Sequence, residues 1–341
     1  MPLPLQKVRI AVAQSEPIWL DLDGTIEKTC KLITEAAANG AQLIAFPECW
    51  VPGYPVWIWP LTRVLYIGRL RSRPVDSSLT TTYMHNALKV PSPKMTSITE
   101  SAATNKIIVV LGYTENIHES LYIAQAIISA EGEILTTRKK LKPTHMERTI
   151  FGDSGGDCLN SVVDTKTDIG RVGALSCWEH LQPLLKYHTY AQRERIHVAA
   201  WPPIYPFSEE DGNLFSISKE GAEAISRTYA IESQSFVLHC TTVLSQDGID
   251  RMGTQNGGQM NVPGGGGSAV FAPDGRKITE DLPATEEGII YADLDVDEIC
   301  KARGFVDVCG HYSRPDLLWL GVKEGVLERV VRAEDGASTP D

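Results

Sequence analysis

The chain has 341 residues, 43% hydrophobic and 22% charged, with a formal net charge of −11. That composition supports a substantial core, and large α/β sandwiches and barrels reach this length as single units. An acidic surface attracts neither phosphate backbones nor anionic lipids, which argues against general nucleic-acid and membrane binding and leaves a small molecule as the expected partner.

At the amino terminus, residues 1–14 carry no long apolar core or cleavage-site pattern, and no run approaches the roughly 18 apolar residues that span a bilayer. Seven cysteines (30, 49, 158, 177, 240, 300 and 309) are dispersed without a C-x-x-C pair or zinc spacing. That usage fits a reducing compartment, so a cytoplasmic protein is expected.

Strand-like segments at 8–15, 43–47, 107–113, 121–129, 170–177, 197–201, 236–243, 268–271 and 288–294 alternate with helical ones. Apolar residues return every three or four positions over 25–39, 92–105, 181–195 and 216–234, the helical period. Gly40 suits a left-handed cap on the first helix. Turn signals at Glu131-Gly132 and Pro273-Asp274-Gly275 predict two hairpins. Hairpins within an alternating pattern imply mixed sheets between helical layers. The stretch 245–267 contains Gly257-Gly258 and the run Gly264 to Gly267, without the Lys-Ser/Thr of a phosphate loop, and reads as a mobile surface or lid loop. Residues 1–332 are expected to form one domain and 333–341 a short flexible tail.

Three segments carry chemistry. In Phe46-Pro47-Glu48 an apolar strand delivers a carboxylate at its end, ahead of the proline-stiffened loop Pro52-Gly53-Tyr54-Pro55. Partial desolvation there raises a carboxyl pKa and suits Glu48 to general-base work. The second segment, Arg138-Lys139-Lys140-Leu141-Lys142-Pro143-Thr144-His145-Met146-Glu147-Arg148, reads either as a solvated basic patch or as a source of one inward ammonium. In the third, Cys177-Trp178-Glu179-His180 follows an apolar strand and precedes helix-forming sequence. A thiol at such an elbow, near helix amides and a fixed ammonium, is expected to have a lowered pKa; the alternative is a small buried hydrophobe. A Cys-His dyad using His145 or His180 is a rival base assignment.

In this order, the three segments resemble the Glu-Lys-Cys triad motifs of the nitrilase (carbon-nitrogen hydrolase) superfamily, and of its nitrilase branch in particular, from residue 8 to about 321. The resemblance implies an α/β fold, a four-layer α-β-β-α sandwich with two mixed sheets, and assembly into homo-oligomers. It assigns Glu48 as general base and acid, Lys140 as cationic stabiliser, Cys177 as nucleophile and Glu147 as the orienting second glutamate. It implies no metal or organic cofactor, with a nitrile and water as the reactants. Tyr54, Trp178 and Trp201 are the expected substrate-binding residues, with Trp57 and Trp59 as further candidates for an aromatic pocket. His180 and its surroundings resemble arylacetonitrilases more than cyanide hydratases, which typically carry Asn after Cys-Trp-Glu. Phenylacetonitrile and mandelonitrile are therefore the expected substrates. The alternatives are an amidase or carbamoylase, a cyanide hydratase, or a catalytically silent scaffold. Residues 60–71 look like an insertion relative to the family pattern, and the apolar half of 310–320 is expected to pack on the body or on a partner subunit.

Overall fold

A computed structural model describes residues 7–59, 76–209, 214–257 and 259–325. In chain order the elements are β1 (Lys7–Gln14), α1 (Leu22–Ala38), β2 (Leu43–Ala45), α2 (Ser77–Asn86), α3 (Pro93–Asn105), β3 (Ile108–Ile117), β4 (Ser120–Ile128) and β5 (Ile134–Lys139). They continue with β6 (Val162–Asp164), β7 (Arg171–Ser176), α4 (Pro183–Ala191), β8 (Ile196–Ala200), α5 (Lys219–Ser233), β9 (Phe236–Cys240), α6 (Gln246–Met252), β10 (Ala269–Phe271), β11 (Gly288–Asp295) and α7 (Asp297–Phe305). The first sheet has the order β11-β1-β2-β3-β4-β5 and the second β10-β9-β8-β7-β6. Both are mixed: β1, β2 and β3 run parallel, as do β7, β8 and β9, while the edges pair antiparallel.

Alternation along each strand builds the layers. Ile10 and Val12 of β1, Leu43 of β2 and Val110 of β3 share an inner core with Val172 of β7, Val198 of β8 and Leu238 of β9. The opposite face of the first sheet, including Ala11 and Ile44, packs on Ile33 of α1 and Ile98 of α3. The outer face of the second, including Leu175 and Ala199, packs on Leu185 of α4 and Tyr229 of α5. The result is the expected α-β-β-α sandwich. With both faces of each sheet covered, the central strands read as nearly continuous apolar runs.

Local sequence explains the helix ends. Asp21 accepts from the Gly24 amide at the start of α1, and Ser92 accepts from that of Met95 at the start of α3. Pro93 occupies the first turn of α3, where its missing amide costs nothing. The helix expected over 181–195 is shorter: a one-turn 3-10 helix, Cys177–Leu181, precedes α4, which opens at Pro183. Proline starts a helix but does not continue one, so the two stay separate.

The described part of the glycine-rich stretch is not loop throughout. It contains α6, capped by Ser245, and Gly264 to Gly267 are buried. A Cβ on Gly265 would lie 2.6 Å from the Pro203 side chain, and one on Gly266 2.7 Å from that of Gln14. These glycines permit close approach rather than motion. α2, β6 and α7 were not expected: α2 is polar and buries only Tyr83, and α7 buries only Ile299. Leu317, Leu318 and Trp319 do not pack on the body of this chain, being 65%, 82% and 80% exposed. The apparent insertion at 60–71 and the tail at 333–341 lie outside the described residues. Among the described residues no helix is long and apolar enough to cross a membrane.

Candidate active site

Glu48, Lys140 and Cys177 lie just beyond the carboxyl ends of β2, β5 and β7, the usual place for ligands in α/β sheets. The Glu48 amide donates to the Trp201 carbonyl at 3.3 Å, which ties the two sheets together here. β3 carries Gly112 where the Glu48 segment crosses it, and a Cβ there would lie 1.9 Å from the Pro47 carbonyl oxygen. The Lys140 amide donates to the Ile123 carbonyl at 2.7 Å, extending the β4–β5 pairing and aiming its side chain inward. Cys177 has φ +50°, a left-handed conformation that costs a non-glycine residue about 1–2 kcal/mol. Such strain persists only where surrounding contacts hold it.

The strand ends converge. Lys140 Nζ donates to Glu48 Oε1 at 2.8 Å and to Glu147 Oε2 at 2.9 Å, with all three side chains at most 1% exposed. Glu147 also accepts from the Tyr54 hydroxyl at 2.8 Å and from the Thr144 amide at 2.6 Å. Three donors therefore hold this carboxylate: an ammonium, a phenol and an amide that closes a capping box. A carboxylate oxygen of Glu48, one of Glu147 and the sulfur of Cys177 lie within 4.8 Å of one another. Such a trio has donors for a metal, but the Lys140 ammonium already forms an ion pair with each carboxylate and supplies the cation that their charge requires. Glu48 Oε2 is buried without a hydrogen-bond partner.

Burial sets the protonation. Desolvation raises the Glu48 carboxyl to about 8, with Lys140 opposing and Glu147 reinforcing the shift. Desolvation also raises the Cys177 thiol well above its ordinary value, outweighing the ammonium of Lys140 and the amide of Trp178, which lower it. The expectation of a thiol with a lowered pKa is thus corrected: at rest Cys177 is a thiol. Burial pulls the Lys140 ammonium down, but Glu147 and Glu48 outweigh it and hold its pKa well above that of a free lysine. Lys140 is cationic throughout.

A second buried ion pair braces the first. Arg138 donates to both oxygens of Glu179, at 2.8 and 2.7 Å. Glu179 also accepts from the amides of Ser176 and Leu141, both at 2.9 Å. One carboxylate thereby joins the backbone before Cys177 to the backbone after Lys140. Burial would raise the Glu179 carboxyl, but Arg138 and the two amides prevail and lower it. Neither residue was singled out from the sequence, although Ser176-Cys177-Trp178-Glu179 has the S-x-x-E spacing of a capping box, of which the structure forms the bond from the Ser176 amide to Glu179.

Cys177 and Glu147 open onto a cavity of about 380 Å³ whose walls include Tyr54, Trp59, Trp178, Trp201, Ile204 and Met260. Of the aromatic candidates, Trp57 is elsewhere, edge-on to Tyr83 in the core. Trp59 stacks on His145 at 5.7 Å, and His145 is a wall residue. His180 faces away from the sulfur, donating through Nδ1 to the Cys177 carbonyl at 2.7 Å, and so does not stand as the base of a Cys-His dyad.

Two mixed sheets back to back between helices, with a carboxylate, an ammonium and a thiol gathered at strand ends, define a hydrolase of the nitrilase superfamily. The chain belongs to the carbon-nitrogen hydrolase family, whose sequence model matches residues 9–303. It is 68% identical over 326 residues to an arylacetonitrilase of Aspergillus kawachii, covering 96% of this chain and 94% of that protein. It is 66% identical to an arylacetonitrilase of Aspergillus niger, covering 98% of each. Among solved structures, Nit3 of Saccharomyces cerevisiae, a member of branch 10 of the nitrilase superfamily, superposes with a TM-score of 0.63 at 17% identity over 90% of this chain and 97% of that one. A mutant amidase from Nesterenkonia sp. AN1, with the acetamide moiety of fluoroacetamide added covalently at its active-site cysteine, gives 0.59 at 16% identity over 88% and 95%. At these identities the two structures speak for the fold.

Proposed function

We propose that the protein is a nitrilase that converts arylacetonitriles, such as phenylacetonitrile and mandelonitrile, to the carboxylic acid and ammonia. The observation that carries this reading is the buried Glu48, Lys140 and Cys177 cluster opening on an aromatic-walled cavity. The cavity is of the size that takes a small aromatic ligand, and the similar chains from two Aspergillus species are named arylacetonitrilases.

In the proposed reaction ionised Glu48 takes the Cys177 proton as the sulfur adds to the nitrile carbon. The same proton passes to the nitrile nitrogen, giving a thioimidate. Glu48 next takes a proton from water as its oxygen adds to that carbon. The nitrogen gains this proton to become an amino group, the new hydroxyl then gives its own proton through Glu48 to that nitrogen, and as the carbon–nitrogen bond breaks ammonia leaves and a thioester remains. A second water releases the carboxylic acid and restores the thiol. If the tetrahedral intermediate expels the thiol instead, the product is the amide. Lys140, fixed between Glu48 and Glu147, stabilises negative charge as it develops on nitrogen and then on oxygen. Glu147 fixes the ammonium, and Tyr54 fixes Glu147 while lining the cavity; Trp178 and Trp201 provide faces for the aryl ring. No step calls on a cofactor.

The exposed apolar run Leu317-Leu318-Trp319 supports a homo-oligomer. Seven unpaired cysteines support a reducing, cytoplasmic setting. Purified protein should release ammonia from phenylacetonitrile and mandelonitrile, with the acid as main product and some amide by mass spectrometry. Formamide formed from cyanide, or ammonia released from phenylacetamide, with no ammonia from either arylacetonitrile would overturn the assignment in favour of a cyanide hydratase or an amidase respectively.

A further inference from the structure

Behind Cys177, on the side away from the cavity, a line of buried polar side chains ends on its carbonyl. Tyr229 Oη donates to Glu194 Oε1 at 2.5 Å, Glu194 Oε2 pairs with His197 Nδ1 at 2.8 Å, and His197 Nε2 with His180 Nε2 at 2.9 Å. His180 Nδ1 meets the Cys177 carbonyl oxygen at 2.7 Å. Glu194, His197, His180 and Tyr229 are at most 1% exposed. β7 makes room for the carboxylate with Gly173, where a Cβ would lie 1.8 Å from Glu194 Oε2.

Counting hydrogens fixes the state of this line. A carbonyl only accepts, so His180 Nδ1 carries a hydrogen. The nitrogen–nitrogen contact requires another, and the contact between Glu194 and His197 a third. Two neutral imidazoles supply two. The line therefore holds one additional proton, which the Glu194 carboxylate balances. Burial and the neighbouring His197 push the His180 pKa well below its ordinary value, which places that proton on the Glu194–His197 side.

The Cys177 carbonyl and the Trp178 amide belong to one peptide plane and point in opposite directions. Anchoring the carbonyl on His180 fixes the direction of the Trp178 N–H, whose nearness to the thiol lowers the Cys177 pKa. A donor on the carbonyl also polarises the peptide and strengthens that N–H. We propose that Glu194, His197 and His180 form a proton-holding positioning chain that clamps the Cys177–Trp178 peptide, so that the Trp178 amide stabilises charge on sulfur and on the first intermediate. Its influence on rate and on the acid-to-amide ratio rests on the nitrilase reading; its influence on the thiol does not.

The chain is enclosed by groups that do not supply the missing hydrogen. Trp201 stacks on His180, and Tyr229 stacks on His197 at 3.9 Å while meeting Tyr190 edge-on. His239 and Lys186 act on His180 through charge, Arg303 donates to the Glu194 carbonyl at 2.7 Å, and Glu232 acts on Tyr229.

His180→Leu removes the donor, whereas His180→Asn replaces it with an amide N–H. In folded protein, checked by circular dichroism and thermal melting, His180→Leu should lower kcat about 10- to 100-fold, with KM changed less than about threefold and the amide share altered. His180→Asn should recover most of that loss. Glu194→Gln, whose amide donates to His197 without the additional proton, should retain at least about tenfold more kcat than Glu194→Leu, which supplies no donor. The rate of Cys177 alkylation by iodoacetamide against pH, measured without nitrile, should show its midpoint raised in His180→Leu and restored in His180→Asn. Wild-type kcat, product ratio and alkylation midpoint in folded His180→Leu would overturn the proposal, as would an Asn variant no better than the Leu one. Equal kcat in folded Glu194→Gln and Glu194→Leu would do the same if His180→Leu fails to fold. If the wild-type protein turns over no arylacetonitrile yet the alkylation midpoints shift as stated, the nitrilase reading fails and the chain stands.

Discussion

Lys140→Met is expected to abolish detectable turnover and to destabilise the protein by about 3–5 kcal/mol at neutral pH, the usual cost of removing one partner from a buried ion pair. The sequence alone gives Lys140 only a chemical role, and its replacement by an apolar chain of similar length would leave the fold intact. The structure says otherwise: its ammonium is the cation between Glu48 and Glu147, all of them at most 1% exposed at the side chain. Without it two carboxyl groups share one dry site. They relieve the repulsion by binding protons, so the deficit should shrink as pH falls and grow as pH rises. Urea denaturation of wild type and variant at pH 5 and pH 8 measures this. Equal stability at pH 8 would show that Lys140 does not balance these charges.

Glu48→Gln is expected to have the opposite effect on stability with a similar loss of turnover. Its carboxyl lies at about 8 in the folded protein against an ordinary 4.5, chiefly because of burial. Between those two pH values the native state holds a proton that the unfolded chain releases. Wild-type stability from this group therefore declines as pH rises through that window. Gln reproduces the protonated carboxyl without titrating, so the variant should match wild type near pH 5 and exceed it near pH 8. Its kcat should fall by at least about 10²- to 10⁴-fold, the worth of a general base. For the same reason wild-type kcat/KM should decline as pH drops below about 8 and Glu48 becomes protonated. A stable variant that keeps its rate would remove Glu48 from the reaction, and one that unfolds more readily at high pH would contradict its raised pKa.

The residues that converge at the strand ends were legible because their local patterns are short and contiguous: an apolar strand ending in Phe46-Pro47-Glu48, a basic run closing on Glu147, and Cys177-Trp178-Glu179-His180 after a strand. The layers were legible too, since runs such as Ile10 to Ala13 are apolar on both faces, as doubly covered strands must be. Depth was not. Whether the ammonium beside Cys177 or the loss of water dominates its thiol depends on how much protein surrounds the sulfur, and no run of residues states that. Lys140 sits in a run of cations whose member Lys142 pairs with Asp153 at the surface; the Lys140 amide bonds to the Ile123 carbonyl of β4, whereas Lys142 lies past the end of β5, and the run itself does not say where the strand stops. Distant partners were equally silent: Glu194 and His197 are ordinary residues until β8 is laid beside β7. Gly264 to Gly267 read as flexible because glycine serves both for motion and for close approach, and the choice depends on Gln14 and Pro203 lying against them.

The proposed reaction requires Cys177 to form a covalent bond to the carbon of the nitrile. Rapid acid quench of the enzyme during turnover of phenylacetonitrile, followed by intact and peptide mass spectrometry, tests it directly. The peptide containing Cys177 should gain the full mass of one nitrile, as the thioimidate, or the corresponding acyl mass, as the thioester, and neither should form in Cys177→Ala. Turnover persisting in Cys177→Ala, or an adduct carried by any other residue, would contradict it.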